Sequence, residues 1–174
     1  MDNISIDIET LGTDDRSIVL SIGAVYFNKT GIGQSFYRVL DIARQIELGR
    51  VINEESLQWW ARQSEEAKAI LNEKGDPVQD VLLAFNEFAS IFGTDVKVWG
   101  NGATFDNVIV STLYKDMGME RPWRFTNDRC YRTLKNILHP HGNLPQFEGT
   151  PHNALDDARH QALCAIQYLN GKVK

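Results

Sequence analysis

"SIDIET", residues 5–10, sets Ile6 and Ile8, with Ile4 just before them, against Ser5, Asp7 and Glu9. A period of two is the mark of a β-strand with one face in a core. Residues i and i+2 of a strand point the same way, so Asp7 and Glu9 stand roughly 6–7 Å apart on the other face. Two negative charges that close repel each other. A solvated edge strand tolerates them. A divalent cation between them would call for them, because hard cations prefer carboxylate oxygens. This stretch alone leaves both readings open.

Outward from it, "LGTDDRS" reads as a loop and "IVLSIGAVYF" (18–27) as a central strand. "NKTGIG" is a turn and "QSFYRVL" (34–40) alternates as a third strand, which gives an opening meander. The middle is helical. Residues 54–62 carry Leu57, Trp60 and Ala61 at helical spacing after the cap candidate Asn53, and 66–71 follow Ser64. Residues 78–92 form an amphipathic helix through Val81, Leu82, Phe85, Phe88, Ala89 and Phe92. "VKVWG" (96–100) is a short strand. Helices are expected over 106–117, 128–138 and 153–169, with "HPHGNLPQFEGTP" (139–151) as a loop. Strands, then helices, with one more strand among them, predict a mixed α/β fold around a single sheet. The 174 residues suit one domain spanning 1–174.

The hydrophobic fraction of 43% and charged fraction of 24% are those of an ordinary globular protein. No apolar run reaches the length of a membrane span, and the N-terminus lacks the pattern of a secretory leader. Cys130 and Cys164 form no C-x-x-C pair and read as reduced thiols of a cytoplasmic protein. A net charge of −5 argues against coating nucleic acid by bulk electrostatics. A nucleic-acid enzyme remains open, since bound metals offset acidic charge locally.

Two further acidic groups stand out. Asp106, in "VWGNGATFDN" (98–107), opens a helix, where a first-turn aspartate stabilised by the helix dipole reads equally well on its own. "PHNALDDARHQA" (151–162) offers two neighbours. At roughly 100° per residue, Asp156 shares a mostly polar stripe with His160, Leu163 and Gln167. Asp157 shares a stripe with Ala154, Gln161, Cys164 and Tyr168, the face more suited to turn inward. A carboxylate there needs a partner or a cation, so Asp157 is the candidate. His152 lies in the loop before this helix, five residues ahead of Asp157, within reach of the same place. His139, His141 and His160 read as surface or packing residues.

These residues resemble the DEDDh branch of the 3′-to-5′ exonucleases, which have a ribonuclease H-like fold: a central mixed sheet flanked by helices. Its D-x-E motif is "DIET" here, its second motif ends in the F-D of "GATFD", and its H-x4-D motif runs from His152 to Asp157. The ordered set spans almost the whole chain. "LSIGAV", "LQWWARQ" and "HNALDDARHQA" are similar to the compact exoribonuclease-like branch, often phage-borne and labelled exonuclease VIII-like. One departure is that many members carry Asn four residues before the second-motif Asp, where Gly102 stands here, with Asn101 one place earlier.

The resemblance implies metal-dependent hydrolysis at the 3′ end of single-stranded DNA or RNA, with two Mg2+ (or Mn2+) ions. Asp7 would bridge both ions, Glu9 and Asp157 would hold the one that binds the attacking water, and Asp106 the other. His152 would take the proton from the water. Thr10 and Leu11 fall where relatives contact the terminal nucleotide, although packing accounts for Leu11 equally well. Asn101 and Phe105 fall beside the second motif and are candidate substrate contacts. In "RPWRFTNDRCYRTLK" (121–135) basic residues alternate with Trp123, Phe125 and Tyr131, a pattern suited to phosphates and bases of a single strand, with Arg129 the candidate contact. Solvated charges over buried aromatics explain most of these residues singly. Of the adjacent Trp59 and Trp60, which cannot share a helix face, one is expected in the core and the other over the groove or in a subunit contact. Several relatives are homodimers, which is the ground for expecting a dimer. An endonuclease of the same fold, or a binding module with a decayed site, are the competing readings. The first does not call for His152, and the second is favoured by loss of a carboxylate, none of which is lost here.

Overall fold

In a computed structural model, which describes residues 3–91, 93–138 and 145–170, the alternating stretch forms strand β1 (Asn3–Thr10). β2 (Val19–Asn28), β3 (Gly31–Val39), β4 (Lys97–Gly100) and β5 (Asp128–Cys130) complete one sheet in the order β3-β2-β1-β4-β5. The β1–β2 and β2–β3 pairs are antiparallel, while β1–β4 and β4–β5 are parallel. β1 is therefore the middle strand. Ser5 and Glu9 are buried along with the isoleucines, which removes the solvated-edge reading of its polar face.

Two layers cover the sheet. On one side Ile4, Ile6 and Ile22 pack against Val81, Leu82 and Phe85 of α4 (Val78–Ser90) and Ile109 and Leu113 of α5 (Asp106–Asp116). On the other, α7 (Ala154–Leu169) lays Ala158, Ala162 and Ala165 on Val25 and Phe27. Small side chains let this helix come close. Gly23, paired with Asp7 across the sheet, sits under its first turn, where an added Cβ would strike the Ala154 backbone. Asn153 caps α7 by accepting from the backbone of Leu155 and Asp156.

Between the third and fourth strands the chain forms α1 (Ile42–Glu47), α2 (Glu54–Trp60) and α3 (Glu65–Lys68), the last continued by a 3-10 turn, Ala69–Asn72. They close a satellite core of Leu11, Ile18, Leu20, Trp60, Ala67 and Ile70.

Three details depart from the sequence expectation. α1 is additional: its buried residue is Gln45, whose amide bonds the Val19 backbone through both N–H (2.8 Å) and C=O (2.7 Å), so it carries no apolar period. The helix expected over 128–138 is the strand β5 followed by α6 (Tyr131–Leu138). β5 is fixed by a side chain, because the Asp128 carboxylate accepts from Asn107 (2.9 Å) and Trp123 (2.7 Å). Asn53 stands at the cap position of α2 but caps nothing, its amide donating to Asp14 instead. Phe92, His139 and His141 lie outside the described residues. No helix among the described residues is long and apolar enough to cross a membrane.

Candidate active site

β1 ends in a register shift between Glu9 and Thr10. The chain there opens onto a cleft of about 910 Å³ walled by α2, by the segment 101–106 and by the start of α7. Asp7, Glu9, Asp106, His152 and Asp157 all line it. The strand period brings the first two together. Asp106 arrives as the first residue of α5, and Asp157 faces inward from α7 while Asp156 does not line the cleft. Asp156 instead accepts from the Thr150 N–H (3.0 Å) and lies 3.8 Å from Arg159.

Crowding and burial dominate the electrostatics. Asp7 is pushed well above the usual carboxylate range, chiefly by burial and then by the charges of Asp106, Glu9 and Asp157, with the Gln161 hydrogen bond opposing. Burial, then the charges of Asp157 and Asp106, raise Glu9 to about 9. Burial raises Asp106 to about 7, against the backbone of Asp106, Ile8 and Asn101 and the charge of Arg132. Burial also raises Asp157, opposed by the His152 backbone N–H and its imidazole. The Oδ2 of Asp106 is buried without a hydrogen-bond partner among the described residues. Such a cluster is stabilised either by protonation or by a cation.

His152 is the one non-glycine described with positive φ (65°), and its N–H donates to Asp157 Oδ2 at 2.8 Å. That turn brings the imidazole against the Trp59 ring in a T-shaped contact, 4.7 Å between centroids at 81°. One ring nitrogen and one oxygen from each of Glu9 and Asp157 lie within 4.8 Å of one another.

Of the other candidates, Thr10, Asn101 and Phe105 line the cleft. Leu11 does not: it is buried in the satellite core, so its packing role accounts for it. Arg129 does not either, its guanidinium donating to the Thr126 (2.9 Å) and Asp128 (2.8 Å) carbonyls. Trp123 and Tyr131 of the same run are buried, leaving Phe125 alone of its aromatics exposed. Trp60 is the core tryptophan, buried and donating to the Thr10 carbonyl (2.9 Å), and it lines the cleft together with the more exposed Trp59.

Two residues escaped the sequence reading. Gln161, on the inward stripe of α7, donates to Asp7 Oδ1 at 2.7 Å. Its place on that stripe was the available signal. Arg132 reaches the cleft and donates to the Asn101 carbonyl at 2.6 Å. Nothing in a run of five basic residues distinguishes it from its neighbours.

A family model described as the 3′-5′ exoribonuclease Rv2179c-like domain matches residues 2–169. A search of curated protein sequences finds no match. Solved structures are similar in fold. The nuclease domain of 3′hExo, a DEDDh family member bound to rAMP, superposes with a TM-score of 0.64 at 14% identity, over 99% of this chain and 94% of that one. Exonuclease X in complex with 5′ overhanging duplex DNA gives 0.60 at 19%, over 97% and 91%. The E. coli ExoI–ssDNA complex in its zinc-bound form gives 0.63 at 16%, over 98% of this chain but 40% of that one. With the ribonuclease H-like sheet and a family match over nearly its whole length, the chain belongs to the Rv2179c-like 3′-5′ exoribonuclease domain family and is a 3′-5′ exonuclease.

Proposed function

We propose that the cleft hydrolyses the 3′-terminal phosphodiester of single-stranded DNA or RNA, releasing nucleoside 5′-monophosphates. In this reading Asp7, Glu9, Asp106 and Asp157 hold two Mg2+ or Mn2+ ions, and His152 is the general base. The observation that carries it is the convergence of four carboxylates on one buried site, each raised by burial. The residues fit such ions: the donors are oxygens, and Asp106 Oδ2 has no hydrogen-bond partner among the described residues. Bound ions there would neutralise the phosphate and make water more acidic.

The protein's own groups supply the rest. One ring nitrogen of His152 lies within 4.8 Å of an oxygen of Glu9 and of Asp157, so the base stands beside the groups that would hold the ion binding the attacking water. The Asp157 carboxylate fixes the His152 backbone through its N–H, and the imidazole packs against the Trp59 ring. Thr10, Asn101 and Phe105, which line the cleft, would meet the terminal nucleotide. Fold neighbours bound to rAMP and to ssDNA, and S. pombe Pop2p in its Mg2+- and Mn2+-bound form, support this reading. The homodimer and the phage-type branch rest on the sequence resemblance alone, and the cytoplasmic setting on the reading of Cys130 and Cys164 as reduced thiols.

A second reading has one observation behind it. The Glu9–His152–Asp157 atoms could themselves bind an ion, making the histidine a ligand. The test of the function uses 5′-labelled single strands, RNA and DNA, with Mg2+, Mn2+ or chelator. Stepwise shortening from the 3′ end that requires the metal is expected. Internal cuts, or cleavage undiminished by chelator, would overturn it.

A further inference from the structure

Taking the proposed reading of the cleft as its basis, we propose that Arg132 is a substrate-binding residue that holds a backbone phosphate on the 5′ side of the scissile bond. The cleft is lined by six carboxylates, with Glu54 and Glu55 of α2 added to the four at its centre, and by one side chain from Lys or Arg, which is Arg132. A polyanionic strand entering such a cleft therefore meets one fixed positive charge from the described residues. Arg132 makes no ion pair among them, whereas Arg121 and Arg124 of the same run are paired with Asp128 (3.4 Å) and Asp95 (3.2 Å).

Its position is built. The guanidinium is anchored through Nη2 to the Asn101 carbonyl at 2.6 Å, which leaves further N–H donors for an anion. It lies beside Gly102 at ordinary van der Waals distance. Gly102 has φ 122°, a backbone region that disfavours other residues, and an added Cβ would stand 3.5 Å from the guanidinium.

The assignment to a phosphate follows from direction. Arg132 lies on the Asp106 side, where its charge acts on that carboxyl, outside the Glu9–His152–Asp157 group. The last phosphate of a strand ending in a 3′ hydroxyl is the scissile one, and it belongs among the carboxylates. A residue outside them meets the next phosphates, all of which lie on the 5′ side.

The experiment measures KM and kcat for release of the first nucleotide from a DNA oligonucleotide. The scissile linkage stays natural, and a single neutral methylphosphonate replaces the second or the third linkage. On the unmodified strand, Arg132→Ala is expected to raise KM on the order of 10- to 100-fold, the loss of a charge-assisted hydrogen bond, with kcat changed less than about 3-fold. The salt dependence of log(1/KM) should flatten by about 0.7, one phosphate contact on a single strand. Arg132→Lys should restore that slope. In the wild type, the methylphosphonate at one of the two positions should raise KM by a similar factor, with no further loss in Arg132→Ala. A wild-type KM in Arg132→Ala, or losses that multiply at both positions, would overturn the proposal. Failure of the wild type to shorten the unmodified strand from its 3′ end would instead overturn the function on which it rests.

Discussion

Gln161 grips one oxygen of the most crowded carboxylate, and its effect is opposite in sign to that of its surroundings. It lowers the pKa of Asp7 where burial and three neighbouring charges raise it. Gln161→Leu removes that support with an apolar side chain of similar size. Calorimetry should show Mn2+ affinity reduced by about 10- to 100-fold, as for other hydrogen-bond partners of metal ligands. Unchanged affinity would show that the bond only fills space. Asp7→Ala, Glu9→Ala, Asp106→Ala and Asp157→Ala should each abolish most activity, yet in chelator their melting temperatures should equal or exceed the wild type, because each relieves repulsion. Asp156→Ala should leave kcat nearly unchanged and destabilise by about 1 kcal/mol, the worth of its bond to Thr150. His152→Ala should lower kcat by about 10²–10⁴-fold while leaving Mn2+ affinity intact. A matching drop in affinity would favour the ligand reading.

At the scale of elements, α7 and β1 position the chemistry, and their contact depends on Gly23. An added methyl there collides with the backbone at the start of α7, which has no flexible end to move aside. Gly23→Ala should therefore destabilise by about 1–3 kcal/mol and lower kcat as well, since the shifted turn carries His152 and the first turn carries Asp157. A melting curve and a rate measurement check both; full activity with full stability would contradict the close packing.

The same scale shows what was legible in the sequence. The period of two in residues 5–10 exposed Asp7 and Glu9, and the helical stripe separated Asp157 from Asp156, because side-chain direction follows backbone period. The elements that escaped are held by polar groups: α1 by the buried amide of Gln45, and β5 by hydrogen bonds to Asp128. Arg132 and Gln161 escaped in the same way, since a residue's partner across the fold leaves no mark on its own neighbours in sequence. Leu11 adjoins the D-x-E motif in sequence and Arg129 lies in a basic and aromatic run, but neither lines the cleft, because nearness in sequence and local composition do not fix place in the fold.

Across the whole molecule, the buried carboxylates link stability to pH and to metal. Glu9 in the folded protein holds its proton to about pH 9, and Asp106 to about pH 7. In the unfolded chain both ionise near pH 4. Unfolding between those limits releases protons, so without metal their contribution is full below about pH 4 and is lost as pH rises toward 9. In chelator, the melting temperature should therefore fall between pH 5 and pH 8. Saturating Mg2+ should oppose the fall, since an ion that binds the folded state alone stabilises it. A melting temperature that rises over that range in chelator would contradict the raised carboxylates.

The central claim is that these carboxylates are cation ligands, neutral in part until the cation arrives. Titration of the protein with Mn2+ at pH 7, in two buffers of different ionisation enthalpy, counts the protons released per protein molecule. Binding with release of about one to two protons is the expected result, because ligands must deprotonate to coordinate. It should be lost in Glu9→Gln and retained in Asp156→Asn. Absence of Mn2+ binding at millimolar concentration, or binding with no proton release, would contradict the claim.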